Sequence, residues 1–142
     1  MKTVFSSLAV ATLLSVIPSP CFALWDPVTV SKELAKELGM EVKSTAAGPK
    51  HVQVKLEFTT EGALKHFSQV DLSLGKGDEL AVSASLREDR SKPGRVSVSF
   101  TADSAQLDKL TLRVSVPFRD GGAGGTLYEL RVKDFVEVKR VR

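Results

Sequence analysis

Two histidines, His51 and His66, carry the most versatile side-chain chemistry in this sequence, because an imidazole can bind a metal ion or transfer a proton. His51 begins a segment with strand-like alternation, and His66 follows the loop at the far end of that segment. At about 3.3 Å per residue, the two rings should lie on the order of 25 Å apart. We therefore predict two solitary histidines and assign no metal ligand and no cofactor.

Serine and carboxylate side chains are common, but their spacing does not predict catalysis. A nucleophilic serine needs a neighbouring base that a third group orients. The strand serines instead fall on the outward phase of their segments: Ser83, Ser85, Ser97 and Ser99. The paired carboxylates of Glu88 and Asp89 are surrounded by basic residues, which is typical of a mixed-charge turn. We assign no catalytic residue and predict that the protein is not an enzyme, while calcium binding between inter-strand loops stays open.

A glycine-rich run between residues 119 and 126 is the segment best suited to contact with a partner. Phosphate-binding glycine loops lead from a strand into a helix, whereas this run leads into Thr126 and another alternating segment. We therefore interpret it as a flexible hairpin tip, and loop tips on a rigid scaffold often carry binding residues. The predicted contact loop comprises Arg119, Asp120, Gly121, Gly122, Gly124 and Gly125.

Trp25 is the aromatic residue that lies most clearly outside the predicted core. Sugar-binding sandwiches present exposed flat aromatic rings, but the alternation puts three phenylalanines in the buried phase, namely Phe58, Phe100 and Phe118. This leaves Trp25, Phe67 and Tyr128, and Trp25 is our candidate for a ligand-binding aromatic residue. The alternative, which the sequence favours, is that its ring packs as an anchor for a short helix that follows it.

The elements that must position these residues are strands, because apolar and polar residues alternate from residue 40 onward. The clearest segments are residues 52–58, 96–100 and 110–118. With a short strand near residues 40–42, the pattern predicts an all-β fold, an antiparallel β-sandwich of about seven strands, with an open β-barrel as the alternative. The architecture resembles immunoglobulin-like sandwiches in general, but the cysteine pair, core tryptophan and tyrosine corner of true immunoglobulin domains are missing.

Glycine, proline and a break in phase predict where these strands turn or end. Residues 70–74 and 80–86 flank a glycine-containing loop and predict an antiparallel hairpin, and residues 87–94 predict a polar turn. Pro117 cannot donate to a β-ladder, so it predicts an edge, a bulge or the exit of its strand from the sheet. Phe135 falls out of phase with the segment before it, which predicts a bulge in the last strand.

One short amphipathic helix is predicted over residues 24–39, ahead of the sandwich domain at residues 40–142. Asp26 and Pro27 suit a helix start as N-cap and first helical residue, and Ser31 is a second candidate start. Apolar residues then recur at helical spacing: Val30, Leu34 and Leu38. Such a helix is too short to be stable alone, so it should pack against the sandwich.

Residues 1–23 have the three-part pattern of a secretory signal peptide: a basic start, an apolar run over residues 4–17 and small residues ending at Ala23. The apolar run is too short for a transmembrane helix, which needs about 20 residues. Lipid attachment at Cys21 is not favoured. Lipoprotein sites usually have leucine at the third position before the cysteine and a small residue directly before it, whereas Pro18 and Pro20 occupy those positions here. No cysteine follows Cys21, so the mature fold contains no disulfide.

The charge balance argues against a nucleic-acid-binding role, because 20 Lys and Arg residues are offset by 17 Asp and Glu residues. No transmembrane segment is predicted after signal cleavage. The sequence therefore favours a periplasmic or secreted, non-catalytic module that acts by contact with an envelope or extracellular protein or glycan. The alternative is a carrier of a small ligand or metal ion that uses the inter-strand loops.

Overall fold

The structure, a computed structural model, describes residues 24–74 and 86–137, which form two four-stranded sheets. The first sheet has the order β1 (Leu24–Thr29), β8 (Gly124–Arg131), β7 (Leu110–Pro117) and β4 (Gln69–Leu74). The second has the order β2 (Met40–Ala46), β3 (His51–Thr59), β6 (Arg95–Asp103) and β5 (Arg87–Asp89). Neither sheet closes into a barrel over the described residues. The prediction of an all-β, sandwich-like fold is therefore confirmed, and the open-barrel alternative is not supported.

The core consists of inward-facing side chains of the long strands. Alternate positions of β3, β6 and β7 are almost completely buried, as a period of two requires: Val54, Leu56, Phe58, Val96, Val98, Phe100, Leu110, Leu112 and Val114. β3 pairs antiparallel with β6 so that Leu56 lies opposite Val98, and β4 pairs with β7 so that Leu72 lies opposite Leu112. Burial of each such side chain contributes about 1.5–3 kcal/mol relative to exposure, so these strands form a firm support for the loops.

The prediction of one short helix over residues 24–39 is not confirmed. Its first residues form β1, which pairs parallel with β8, and helix α1 spans only Lys32–Glu37. Asp26 and Pro27 therefore lie in a strand. Ser31, the second candidate start, is the N-cap of α1, and its hydroxyl accepts a hydrogen bond from a first-turn N–H at 3.2 Å. Pairing with β8 is a tertiary interaction, which the local spacing of apolar residues cannot indicate.

Two further local predictions are corrected by the described residues. Arg87–Asp89, predicted as part of a turn, forms β5 against the middle of β6. The predicted bulge near the end of the chain is instead a helical turn, α2 (Val132–Phe135), which follows directly after β8 and explains the break in phase at Phe135. The signal peptide, most of the second hairpin strand and the C-terminal end stay predictions, because they lie outside the described residues: 1–23, 75–85 and 138–142.

Two connections meet at one end of the sandwich. The β3–β4 connection contains a turn of 3₁₀ helix at Gly62–Leu64, and the β7–β8 connection follows Pro117. The start of β4 lies beside the end of β7, because the Ser68 N–H donates to the Ser115 carbonyl at 2.8 Å. A second 3₁₀ helix, Ser104–Lys109, precedes β7 and so lies toward its other end. The β3–β4 and β7–β8 connections enclose the candidate site.

Candidate functional site

An open cleft lies between the β3–β4 and β7–β8 connections. It consists of two adjoining depressions of about 630 and 450 Å³, which share His66, Pro117, Phe118 and Arg119. Lys65 lines the first depression, and the backbone around Gly62 lines the second. We call this surface the loop cleft. It brings together residues about 50 positions apart in the sequence, on two elements that are held by the same core.

The β3–β4 connection holds Lys65 and His66 in place between two apolar anchors. Leu64 is completely buried, and the Phe67 ring packs edge-on against Phe58 with the ring centroids 5.0 Å apart. The Phe67 N–H donates to the Leu64 carbonyl at 3.2 Å, which closes the turn. Packing holds the residues on both sides, and the exposed side chains of Lys65 and His66 line the loop cleft.

The β7–β8 connection exposes Phe118, contrary to the prediction that this ring is buried. The strand ends at Pro117, and β4 pairs with β7 only as far as Ser115, so no strand lies beside Phe118 on the β4 side. Its side chain is 44% exposed, and its N–H donates to the Gly124 carbonyl at 3.0 Å. The alternation of the sequence is correct along β7, because Leu110, Leu112 and Val114 are buried, but β4 stops before it reaches Phe118.

The structure exposes only part of the predicted contact loop. Arg119, Asp120, Gly121 and Gly122 are exposed, and the Asp120 carboxylate accepts a hydrogen bond from the Gly122 N–H at 3.1 Å. Gly121 has a φ of 74°, which favours glycine in this turn. Gly124 and Gly125 are buried residues of β8 and do not belong to the exposed tip. The exposed tip therefore extends from Phe118 to Ala123.

Trp25 has a packing role that the sequence did not indicate. It lies beside Gly125 in the β1–β8 register, and a Cβ on Gly125 would lie 2.8 Å from its Cζ3 atom and 2.7 Å from the Pro117 Cα atom. The indole thus covers a glycine that must lack a side chain. Trp25 is 37% exposed, and it does not line the loop cleft. Its predicted role as an anchor of the following helix stays a prediction.

The ionisable side chains that line the loop cleft are all basic. Lys65, His66 and Arg119 line it, and within residues 24–74 and 86–137 no ion pair joins Lys65 or Arg119 to an acidic group. The acidic residues nearest in sequence are Glu61 and Asp120, and the carboxylate of Asp120 is engaged by the turn. Sequence reasoning missed Lys65 and Phe118, although a basic residue beside a glycine turn was a usable signal for the first.

A second polar cluster lies on the outer face of the β2–β3–β6–β5 sheet and is structural. The Glu57 carboxylate contacts Lys55 Nζ at 2.7 Å, Lys43 Nζ at 3.2 Å and an Arg95 Nη atom at 3.1 Å. Hydrogen bonds from Lys55 and then Lys43 lower the pKa of Glu57 to about 2. Each of these three cations contacts the Glu57 carboxylate, so the cluster links the strands β2, β3 and β6 across the sheet.

The described ranges offer no further indication of a metal site or a membrane span. No group of three or more His, Cys, Asp or Glu side chains is close enough there to hold a metal ion. His51 begins β3 and His66 follows its far end, so these ranges do not bring the two histidines together. No helix within these ranges is long and apolar enough to cross a membrane.

The chain was compared with family models, curated proteins and solved structures. No family model, no curated protein and no solved structure matches the chain.

Proposed function

We propose that this chain is an exported, non-catalytic binding module that contacts an envelope or extracellular partner through the loop cleft. The observation that carries the proposal is the exposure of Phe118, at 44%, beside the basic side chains of Lys65 and Arg119 on two loops of one sandwich end. Exposed aromatic and arginine side chains are the residue types that contribute most to protein contacts. Here they are supported by a rigid core.

An immunoglobulin-like fold is part of this proposal, and the strand order supports it. The second sheet has the order β2–β3–β6–β5, and three neighbouring strands of the first sheet have the order β8–β7–β4. These orders correspond to the ABED and GFC sheets of a constant-type immunoglobulin sandwich. The β3–β4 and β7–β8 connections then correspond to the B–C and F–G loops, which immunoglobulin variable domains use for binding.

Export to the periplasm or the cell exterior is proposed from residues 1–23, whose pattern is that of a signal peptide. The absence of cysteine after Cys21 gives a fold that does not depend on the redox state of either compartment. The shape of the loop cleft favours a large partner surface over a carried small ligand. Small-ligand sites usually enclose most of the ligand, whereas this cleft is open to solvent.

A non-catalytic role is supported by what lines the loop cleft. Nucleophilic and acid–base catalysis require a nucleophile or acid beside a base that a third group orients. Within the described residues, the cleft combines one imidazole, His66, with two cations, Lys65 and Arg119, and no carboxylate lines it. This composition suits recognition of a partner by charge and by an apolar ring.

The test is retention of an envelope or extracellular component by the immobilised protein, expressed with its own leader in an exporting host. A variant that combines Lys65→Gln, Phe118→Ser and Arg119→Gln removes the charged and aromatic side chains of the loop cleft. Lys109→Gln, an exposed charge before β7, is the matched control. We expect the wild type and the control to retain the same component and the triple variant to lose it. Equal retention by all three proteins, or no retention by any, would contradict the proposed function.

A further inference from the structure

We propose that the partner group recognised by the loop cleft is the carboxylate-bearing ring of an acidic polysaccharide, a uronic acid in a chain of sugars. This inference rests on the proposed binding function and specifies its ligand chemistry. It is drawn from the charge of the cleft, its exposed aromatic residue and the form of the neighbouring sheet edge.

The basic side chains of the loop cleft favour an anionic ligand. Lys65, His66 and Arg119 line the same depression, and Lys65 and Arg119 have no ion-pair partner within the described ranges. The Glu57 cluster shows the contrasting case, because its three cations already surround one carboxylate. A guanidinium such as that of Arg119 can bind both oxygens of a carboxylate at once, which gives geometric selectivity as well as attraction.

The exposed ring of Phe118 favours a ligand that also has an apolar face. Phe118 is 44% exposed and adjoins Pro117, and both residues line the depression that contains the basic side chains. A hexuronic acid ring has a face of C–H groups on which such a side chain can pack, and its carboxylate projects from the edge of the ring. Lys65 and Arg119 are then placed to receive the carboxylate while Phe118 contacts the ring.

The fold favours a polysaccharide over an acidic peptide. A peptide partner normally inserts an anchoring side chain into a closely packed pocket, and the loop cleft is open along its length. A peptide could alternatively add a strand to β1, whose first residue pairs with Gly124 at the same end of the sandwich. The N–H of Val30 donates to the Glu129 carbonyl, so alternate residues of the strand face β8 and the ring nitrogen of Pro27 faces outward. Proline lacks a donor there, so one of the outward hydrogen bonds that strand addition would use cannot form.

The experiment measures binding of the exported protein to three polymers by affinity electrophoresis or calorimetry at low ionic strength. Polygalacturonate presents carboxylates on sugar rings, its fully methyl-esterified form presents the same rings without charge, and poly-L-glutamate presents carboxylates without rings. Lys65→Gln, Phe118→Ser and Arg119→Gln test the loop cleft, and Lys109→Gln is the charge-matched control. Thermal unfolding of each variant confirms that it is folded.

We expect polygalacturonate to bind best, with each of the three cleft variants weakening its affinity about tenfold and the control leaving it unchanged. Equal binding of poly-L-glutamate would overturn the inference in favour of an acidic peptide, and equal binding of the esterified polymer would show that the carboxylate is not recognised. Failure of polygalacturonate to bind, while the wild type still retains an envelope component through the cleft, overturns this inference alone. Loss of that retention as well overturns the proposed function.

Discussion

Replacing Glu57 by glutamine should lower the free energy of unfolding at neutral pH and remove part of its dependence on acid. Hydrogen bonds from Lys55 and Lys43 lower the pKa of Glu57 from an ordinary value of 4.5 to about 2. At about 1.4 kcal/mol per pKa unit, this difference corresponds to about 3 kcal/mol. The side chains of Lys43 and Lys55 are 53% and 46% exposed, so solvent screens the pairs. We therefore expect a contribution of about 1–2 kcal/mol.

The sign of the pH dependence follows from the lowered pKa. A carboxylate that is more acidic in the folded state stabilises the fold fully above its unfolded-state pKa and loses that contribution as the pH falls through its folded-state pKa. For Glu57 the loss should occur between pH 4.5 and about 2. Glu57→Gln should start from a lower free energy of unfolding at neutral pH and lose less than the wild type over this acidic range.

Urea unfolding at about pH 7 and about pH 3, at constant ionic strength, measures both quantities. Glu41→Gln is the matched control, because Glu41 contacts the same Lys43 at 3.2 Å but is 56% exposed. Its free energy of unfolding should change by less than about 0.5 kcal/mol. If Glu57→Gln and Glu41→Gln have the same stability at both pH values, the interpretation of Glu57 as the centre of the cluster is wrong.

Three further substitutions test the elements that support the loop cleft. Gly125→Ala should lower the free energy of unfolding by about 1–3 kcal/mol, because the added methyl would overlap the backbone of Val116 and Pro117 as well as the Trp25 ring. Gly122→Ala in the exposed turn should cost less than about 0.5 kcal/mol by the same urea assay. Pro27→Val should restore an outward donor on the β1 edge and increase self-association, which light scattering coupled to size-exclusion chromatography would detect; an unchanged monomer mass contradicts the edge argument. Ser31→Ala should cost about 1 kcal/mol through loss of the α1 cap, and no change in thermal unfolding would show that the cap contributes nothing.

The sheets could be predicted from the sequence wherever one face of a strand is buried and the other is wet. In β3 and β6 the alternation assigned Leu56 and Val98 to the core, and both are almost completely buried. β1 could not be predicted, because its partner is a strand about 100 residues later in the chain. The helical spacing of Val30 and Leu34 was the stronger local signal, although only the second belongs to α1.

The candidate site could be predicted only in part. Arg119 was identified from the turn chemistry of its own segment, which is local information. Lys65 and Phe118 were not, because their roles depend on tertiary structure. Lys65 joins the loop cleft only when β4 pairs with β7, and Phe118 follows the end of β7, beyond the last residue that pairs with β4. The sequence carries the alternation of each strand but not the point at which its neighbour ends.

The most direct measurement of the central claim is hydrogen–deuterium exchange of the exported protein, free and bound to the envelope or extracellular component that it retains. We expect slower exchange in the peptides that cover residues 62–68 and 117–123, which include lining residues from both sides of the loop cleft. Slower exchange confined to the outer face of the β2–β3–β6–β5 sheet, with the loop cleft unchanged, would contradict it.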